Sequence, residues 1–94
     1  MIEAVRNGRW DVVRYLVKHG KDNVDAKDKT GQTALHHAIR FGNLDNVRYL
    51  VEEGNADVNA KDNNGSVTLN IAVQRNNVGV VSYLVERFGF QGAA

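Results

Sequence analysis

Between Asp45 and Gly54 the apolar positions are Val47, Leu50 and Val51, and Gly54 completes an i, i+3, i+4, i+7 row. That spacing predicts a helix with one buried face, and Glu52 and Glu53 fall on its other side. Asp45 is expected to open this helix, where a carboxylate meets the positive end of the helix dipole. A shorter apolar stretch from Ala34 or Leu35 to Phe41 predicts a helix of about two turns, with Thr33 as its N-cap. Gly42 and Asn43 separate the two, and both residue types accept the left-handed conformation that closes a helix. Before the first helix, Asp28-Lys29-Thr30-Gly31 reads as a tight turn. After the second, Asp57-Val58-Asn59-Ala60-Lys61 reads as an extended stretch that leads into a similar turn, Asp62-Asn63-Asn64-Gly65.

This unit recurs every 34 residues. Residues 4–27 laid on residues 38–61 match at 13 of 24 positions, among them Ala4/Ala38, Arg6/Arg40, Gly8/Gly42, Tyr15/Tyr49 and Leu16/Leu50. A third copy keeps the register through Asp28/Asp62, Gly31/Gly65, Ala38/Ala72, Tyr49/Tyr83 and Leu50/Leu84. A fixed period of this size signals one supersecondary unit stacked on its neighbours. Isolated helices this short are marginal in water, so stability must come from the stack. Ala4, Ala38 and Ala72 mark where inner helices approach, and Leu16, Leu50 and Leu84 are the equivalent large core positions. The expected fold is an all-α repeat, an α-solenoid of helix-turn-helix units joined by β-hairpin-like loops. Its repeats span 1–27 (partial), 28–61 (complete) and 62–94 (nearly complete).

Thr33-Ala34-Leu35-His36-His37-Ala38 resembles the Thr-Pro-Leu-His-x-Ala signature of ankyrin repeats, and Asp57-Val58-Asn59-Ala60 is similar to that family's Asp-Val-Asn-Ala segment. Gly31, Gly42 and Gly54 stand where the family places its turn glycines. The departures are local. Ala34 and Thr68 replace the family's Pro, residues 67–72 alter both the capping Thr and the signature His, and Asn76 replaces a Gly. One extra residue follows Gly20 and again Gly54 (Lys21-Asp22-Asn23 and Asn55-Ala56-Asp57), in a loop where length changes cost little. The resemblance implies that His36 hydrogen-bonds to backbone around the turn, and that His37 is a half-buried polar residue where the family has Leu.

Composition narrows the function classes. The chain carries a formal net charge of +1 and has no Cys, which gives no bulk reason for nucleic-acid or membrane binding and excludes disulfides and thiolate metal sites. No apolar run approaches membrane-spanning length and no signal peptide is evident, so an intracellular location, cytoplasmic or nuclear, is expected. His19, His36 and His37 lack the i, i+4 spacing of a zinc pair. Neither Ser66 nor Ser82 lies in a nucleophile elbow, and Gly31-Gln32-Thr33 lacks the ending of a phosphate loop. A non-enzymatic protein without cofactor or metal is the expectation.

The positions that do not repeat carry the functional reading. Trp10 aligns with Leu44 and Val78 and reads as core. The Tyr15, Tyr49, Tyr83 series reads as an inter-repeat ladder with hydroxyls reaching solvent. Phe41 aligns with polar Asn7 and Arg75, which makes it an exposed aromatic, either a binding anchor or a lone surface residue. In ankyrin proteins partners lie across the hairpin tips and inner helices. By matching position, that surface comprises Lys27, Lys29, Thr30, Gln32, Lys61, Asn63, Asn64 and Ser66 from the tips, with Arg6, Asn7, Arg40, Phe41, Gln74 and Arg75 from the helices. None of these is acidic, so an acidic or amide-rich protein segment is the expected partner. A nucleic acid or nucleotide on the same basic positions is the alternative. A structural segment of a longer array is another, because the chain starts without its hairpin and self-association through uncapped ends is open to it. Phe88 and Phe90 could fold over the last helix as a makeshift cap.

Overall fold

The structure, a computed structural model, describes residues 1–20 and 23–89. Among these residues six helices follow in pairs: α1 (Ile2–Arg6) with α2 (Trp10–His19), α3 (Ala34–Phe41) with α4 (Leu44–Glu52), and α5 (Thr68–Gln74) with α6 (Val78–Phe88). The inner helices stack in order, α1 against α3 and α3 against α5, and α4 packs on α6. Each inner helix also contacts the helix that follows it in its pair. There is no strand among the described residues, so the hairpin-like loops are turns.

The core lies between the layers. Val5, Val13, Leu35, Ile39, Val47, Leu50, Val80 and Leu84 are inaccessible to solvent, and Ala38 and Ala72 sit where α3 meets its neighbours. Leu16, expected to match Leu50 and Leu84, is only half-buried. Repetition equates the three positions, but only a flanking unit buries them.

Helix ends depend on individual side chains. Thr33 caps α3 as expected: its Oγ1 accepts from the His36 N–H at 3.4 Å, and the His36 Nδ1 accepts from the Thr33 N–H at 3.1 Å. Gly42 closes α3 in the left-handed conformation. Asn43 does not share that conformation. It is extended and caps α4, its Oδ1 accepting from the Asn46 N–H at 3.2 Å, so α4 begins at Leu44 and Asp45 falls inside its first turn. Asn77 caps α6 in the same way through the Val80 N–H. Asn76 adopts the left-handed backbone (φ 56°), as does Asn55 (φ 54°) in the loop where an extra residue was expected. The other insertion is Lys21-Asp22-Asn23, of which Lys21 and Asp22 lie outside the described residues, as does Phe90 of the expected cap.

The turns are joined to each other. The Asn63 N–H donates to the Thr30 carbonyl and its Nδ2 to the Lys29 carbonyl, both at 2.9 Å. Lys27 Nζ donates to the Lys61 carbonyl at 2.8 Å. The Tyr ladder differs from its expected form. Tyr49 donates to the Arg14 carbonyl at 3.4 Å and Tyr83 to Glu52 Oε2 at 2.7 Å, so both hydroxyls tie back to the preceding helix pair. Burial and the Glu52 carboxylate push the Tyr83 phenol up to about 12. Tyr15 lies against the ring of His19 on its own helix.

Candidate functional site

Each turn is built on a carboxylate. Asp28 Oδ1 accepts from the Thr30 N–H, the Thr30 hydroxyl and the Gln32 N–H, and its Oδ2 accepts from His37 Nε2 at 2.8 Å. Burial alone would raise the pKa of Asp28, but these hydrogen bonds together outweigh it and hold the carboxyl well below the usual carboxylate range. Asp62 repeats the pattern with the N–H groups of Asn64 and Ser66, and its carboxyl is lowered first by the Ser66 N–H, against the opposing effect of burial. The half-buried His37 thus finds its partner in the turn carboxylate. His36 is fully buried. Its Nδ1 accepts, so its Nε2 donates to the Ser66 carbonyl at 3.3 Å, and burial holds the ring neutral by lowering its basicity.

On this scaffold the inner face forms three adjoining clefts. The first, between α1 and α3 beside the turn, is lined by Arg6, Asp28, Thr30, Gln32, His37, Arg40 and Phe41. The second, between α3 and α5, is lined by Thr30, Gln32, Arg40, Asp62, Asn64, Ser66, Ile71 and Gln74. The third opens toward the other end of α1 and is lined by Val5, Arg6, Asn7, Gly8, Trp10, Phe41, Asn43 and Asn46. Arg40 is shared by the first two, and Arg6 and Phe41 by the first and third.

Nine of the expected surface residues therefore line clefts: Arg6, Asn7, Thr30, Gln32, Arg40, Phe41, Asn64, Ser66 and Gln74. Lys27, Lys29, Lys61, Asn63 and Arg75 line none of these three. Lys27 and Asn63 use their side chains to join the turns. Phe41 is 64% exposed. Among the described residues Arg6 and Arg40 have no carboxylate partner. The sequence reading left Asp28, Asp62 and Trp10 out of the surface. The Asp residues do serve as turn anchors, yet they also line it. Trp10 packs on the core and presents the rest of its ring to the third cleft. That it is unrepeated was the only available signal.

The comparisons with known proteins agree with this architecture. The model for ankyrin repeats matches residues 1–93 in three copies. No match is found among curated proteins. Among solved structures, a chain of the complex of the predatory endopeptidase Bd0816 from Bdellovibrio bacteriovorus with the immunity protein Bd3460 is 33% identical, with a TM-score of 0.79 over 90% of this chain and 44% of that one. The ankyrin repeat protein EF0377 is 32% identical, with a TM-score of 0.83 over 92% and 45%. A chain of the complex of yeast ribosomal protein Rps3 with its chaperone Yar1 is 27% identical, with a TM-score of 0.85 over 97% and 67%. The chain spans less than half the length of the first two. Ankyrin repeats in general mediate protein–protein interaction and are typically non-catalytic. Among the described residues no helix is long and apolar enough to cross a membrane. With its paired helices, capped turns and 34-residue period matched over nearly all its length, the chain belongs to the ankyrin-repeat family.

Proposed function

We propose that this chain is a non-catalytic interaction module that holds a protein partner across its turn tips and inner helices. The observation that carries the reading is that the polar groups of the turns are spent on one another, whereas Arg6, Arg40 and Phe41 line one face and, among the described residues, the two arginines have no carboxylate partner. Two of the similar structures are complexes of two proteins, which supports a protein as the partner. Turn carboxylates that are already saturated with hydrogen bonds compete little for the arginines, so an acidic or amide-rich segment is favoured.

A captured partner titrated calorimetrically against wild type and an Arg40→Ala, Phe41→Ala, Lys61→Ala triple variant tests this. Affinity should fall at least tenfold with the melting temperature little changed, because all three residues are exposed. Unchanged affinity would remove the inner face as the binding surface. Repeating the titration across salt concentrations addresses nucleic acid, whose binding to the same cations would fall steeply and linearly on a logarithmic scale.

A further inference from the structure

The first and third clefts differ in chemistry yet share two walls. The first, of about 460 Å³, is lined by Arg6 and Arg40. Its one carboxylate, Asp28, is consumed by four hydrogen bonds. Two cations with no carboxylate partner among the described residues, beside a satisfied anion, leave a net demand for negative charge. The third, of about 400 Å³, is flanked by Trp10 and Phe41 with Val5 at its base. It demands an apolar side chain. Arg6 and Phe41 form the ridge between them.

Among the described residues this pair of clefts has no counterpart between α3 and α5. The residues equivalent to Trp10 and Phe41 in the next unit are Leu44 and Arg75, and no second aromatic-walled cleft forms between α3 and α5. The arginine recurs along the stack as Arg6 and Arg40, but its pairing with Trp10 and Phe41 does not.

We infer that the ligand of this surface is an extended peptide segment carrying a carboxylate side chain and a large apolar side chain two residues apart, the acid clamped by Arg6 and Arg40 and the apolar group seated between Trp10 and Phe41. The spacing follows from extended backbone, in which side chains return to the same face every second residue. The planar guanidinium forks supply directed, charge-assisted hydrogen bonds to the carboxylate. The aromatic walls supply apolar contact area of the kind that anchors interfaces once a partner covers it. This inference rests on the interaction-module reading and sharpens it to one pair of partner residues.

Selection from a library of random twelve-residue peptides displayed on phage, against the full chain, tests it directly. Enriched sequences should carry Asp or Glu two positions from Leu, Ile, Met or Phe. A synthetic peptide of that kind should shift the emission of Trp10, the only tryptophan in the chain. Replacing its acid by Gln, or its apolar residue by Ser, should weaken binding at least tenfold, and neither change touches the fold. On the protein side, Arg6→Gln with Arg40→Gln should abolish the preference for acid, and Phe41→Ala the preference for the apolar residue. Peptides that bind without the pair, depend on Arg40 or Lys61, and leave Trp10 emission unchanged would overturn the paired clefts and leave the broader interaction surface standing. Enrichment of no peptide at all would count against both.

Discussion

Gly31 and Gly65 are equivalent residues with the same backbone, each at φ 79°, and yet their surroundings differ. A Cβ on Gly65 meets nothing within 4 Å, whereas one on Gly31 meets the Asn63 side chain and lies 2.6 Å from the Asn63 backbone nitrogen. Gly65→Ala should therefore cost only the left-handed strain of an L-residue, about 1–2 kcal/mol. Gly31→Ala should cost that strain and in addition push the two turns apart, breaking the hydrogen bonds from Asn63 to Thr30 and Lys29. Urea unfolding of both variants measures the difference, and equal losses would show that stacking of the tips contributes nothing. A second pair is just as informative. His36 and Asn70 are equivalent, and Asn70 Oδ1 accepts from the Val67 N–H at 2.9 Å just as His36 Nδ1 accepts from Thr33. Asn reproduces the local cap but has no second ring nitrogen. His36 uses that nitrogen to reach the Ser66 carbonyl of the following unit.

Helices here differ most in how their first turns are capped. Asn43 and Asn77 cap α4 and α6 through their side chains, but Arg9 stands at the same place before α2 with a side chain that cannot accept, and only its carbonyl takes the Val12 N–H. Its backbone (φ −90°, ψ 72°) is close to that of Asn77 (φ −92°, ψ 89°), so Arg9→Asn should add a cap worth about 0.5–2 kcal/mol. Likewise Val67, at φ −91° and ψ 172°, matches Thr33 but has no side-chain oxygen, and the Asn70 N–H turns to the Val67 carbonyl at 3.0 Å. Val67→Thr should stabilise α5 by a similar amount. Melting curves of the two variants and their combination check both, since caps on separate helices should add. The helices themselves were legible in the sequence, because apolar spacing and Thr33 are local signals. The role of Asn43 was not, since Asn serves equally as a left-handed residue and as an N-cap, and only the chain direction at Gly42 decides between them. The shortfall at Leu16 and the bonded hydroxyls of Tyr49 and Tyr83 were hidden for another reason: they depend on which helix lies alongside. On the candidate surface the unrepeated Phe41 was legible, whereas Asp28 was read only as a turn anchor because its second oxygen meets His37 across nine residues of sequence.

At the scale of the whole molecule, two titrating groups of the middle unit, His36 and Asp28, weaken the fold in the same direction as acid is added. Burial lowers the basicity of His36 relative to its value in an unfolded chain, 6.5. Below that pH the unfolded chain takes up a proton that the native ring resists, so ΔG of unfolding rises with pH through this window and falls as acid is added. Protonation would also place a hydrogen on Nδ1, which must accept from the Thr33 N–H. The stabilising contribution is fully present above pH 6.5 and is lost as pH falls toward the native value. Asp28 acts in a lower window. Its native carboxyl is held below 3.8, so its contribution is complete above that value and is lost as pH falls further. Stability should therefore be flat from pH 8 to 7, decline as pH falls below 6.5, and decline again below 4. His36→Asn separates the two windows. It keeps the cap, as Asn70 does, and loses the Ser66 link, so it should be less stable at pH 7.5 and yet lack most of the decline that begins below 6.5. Urea midpoints of wild type and variant at pH 7.5, 6, 5 and 3.5 test this. Parallel curves for the two proteins from 7.5 to 5 would mean that His36 is not the group coupling the middle unit to its neighbour through a neutral ring.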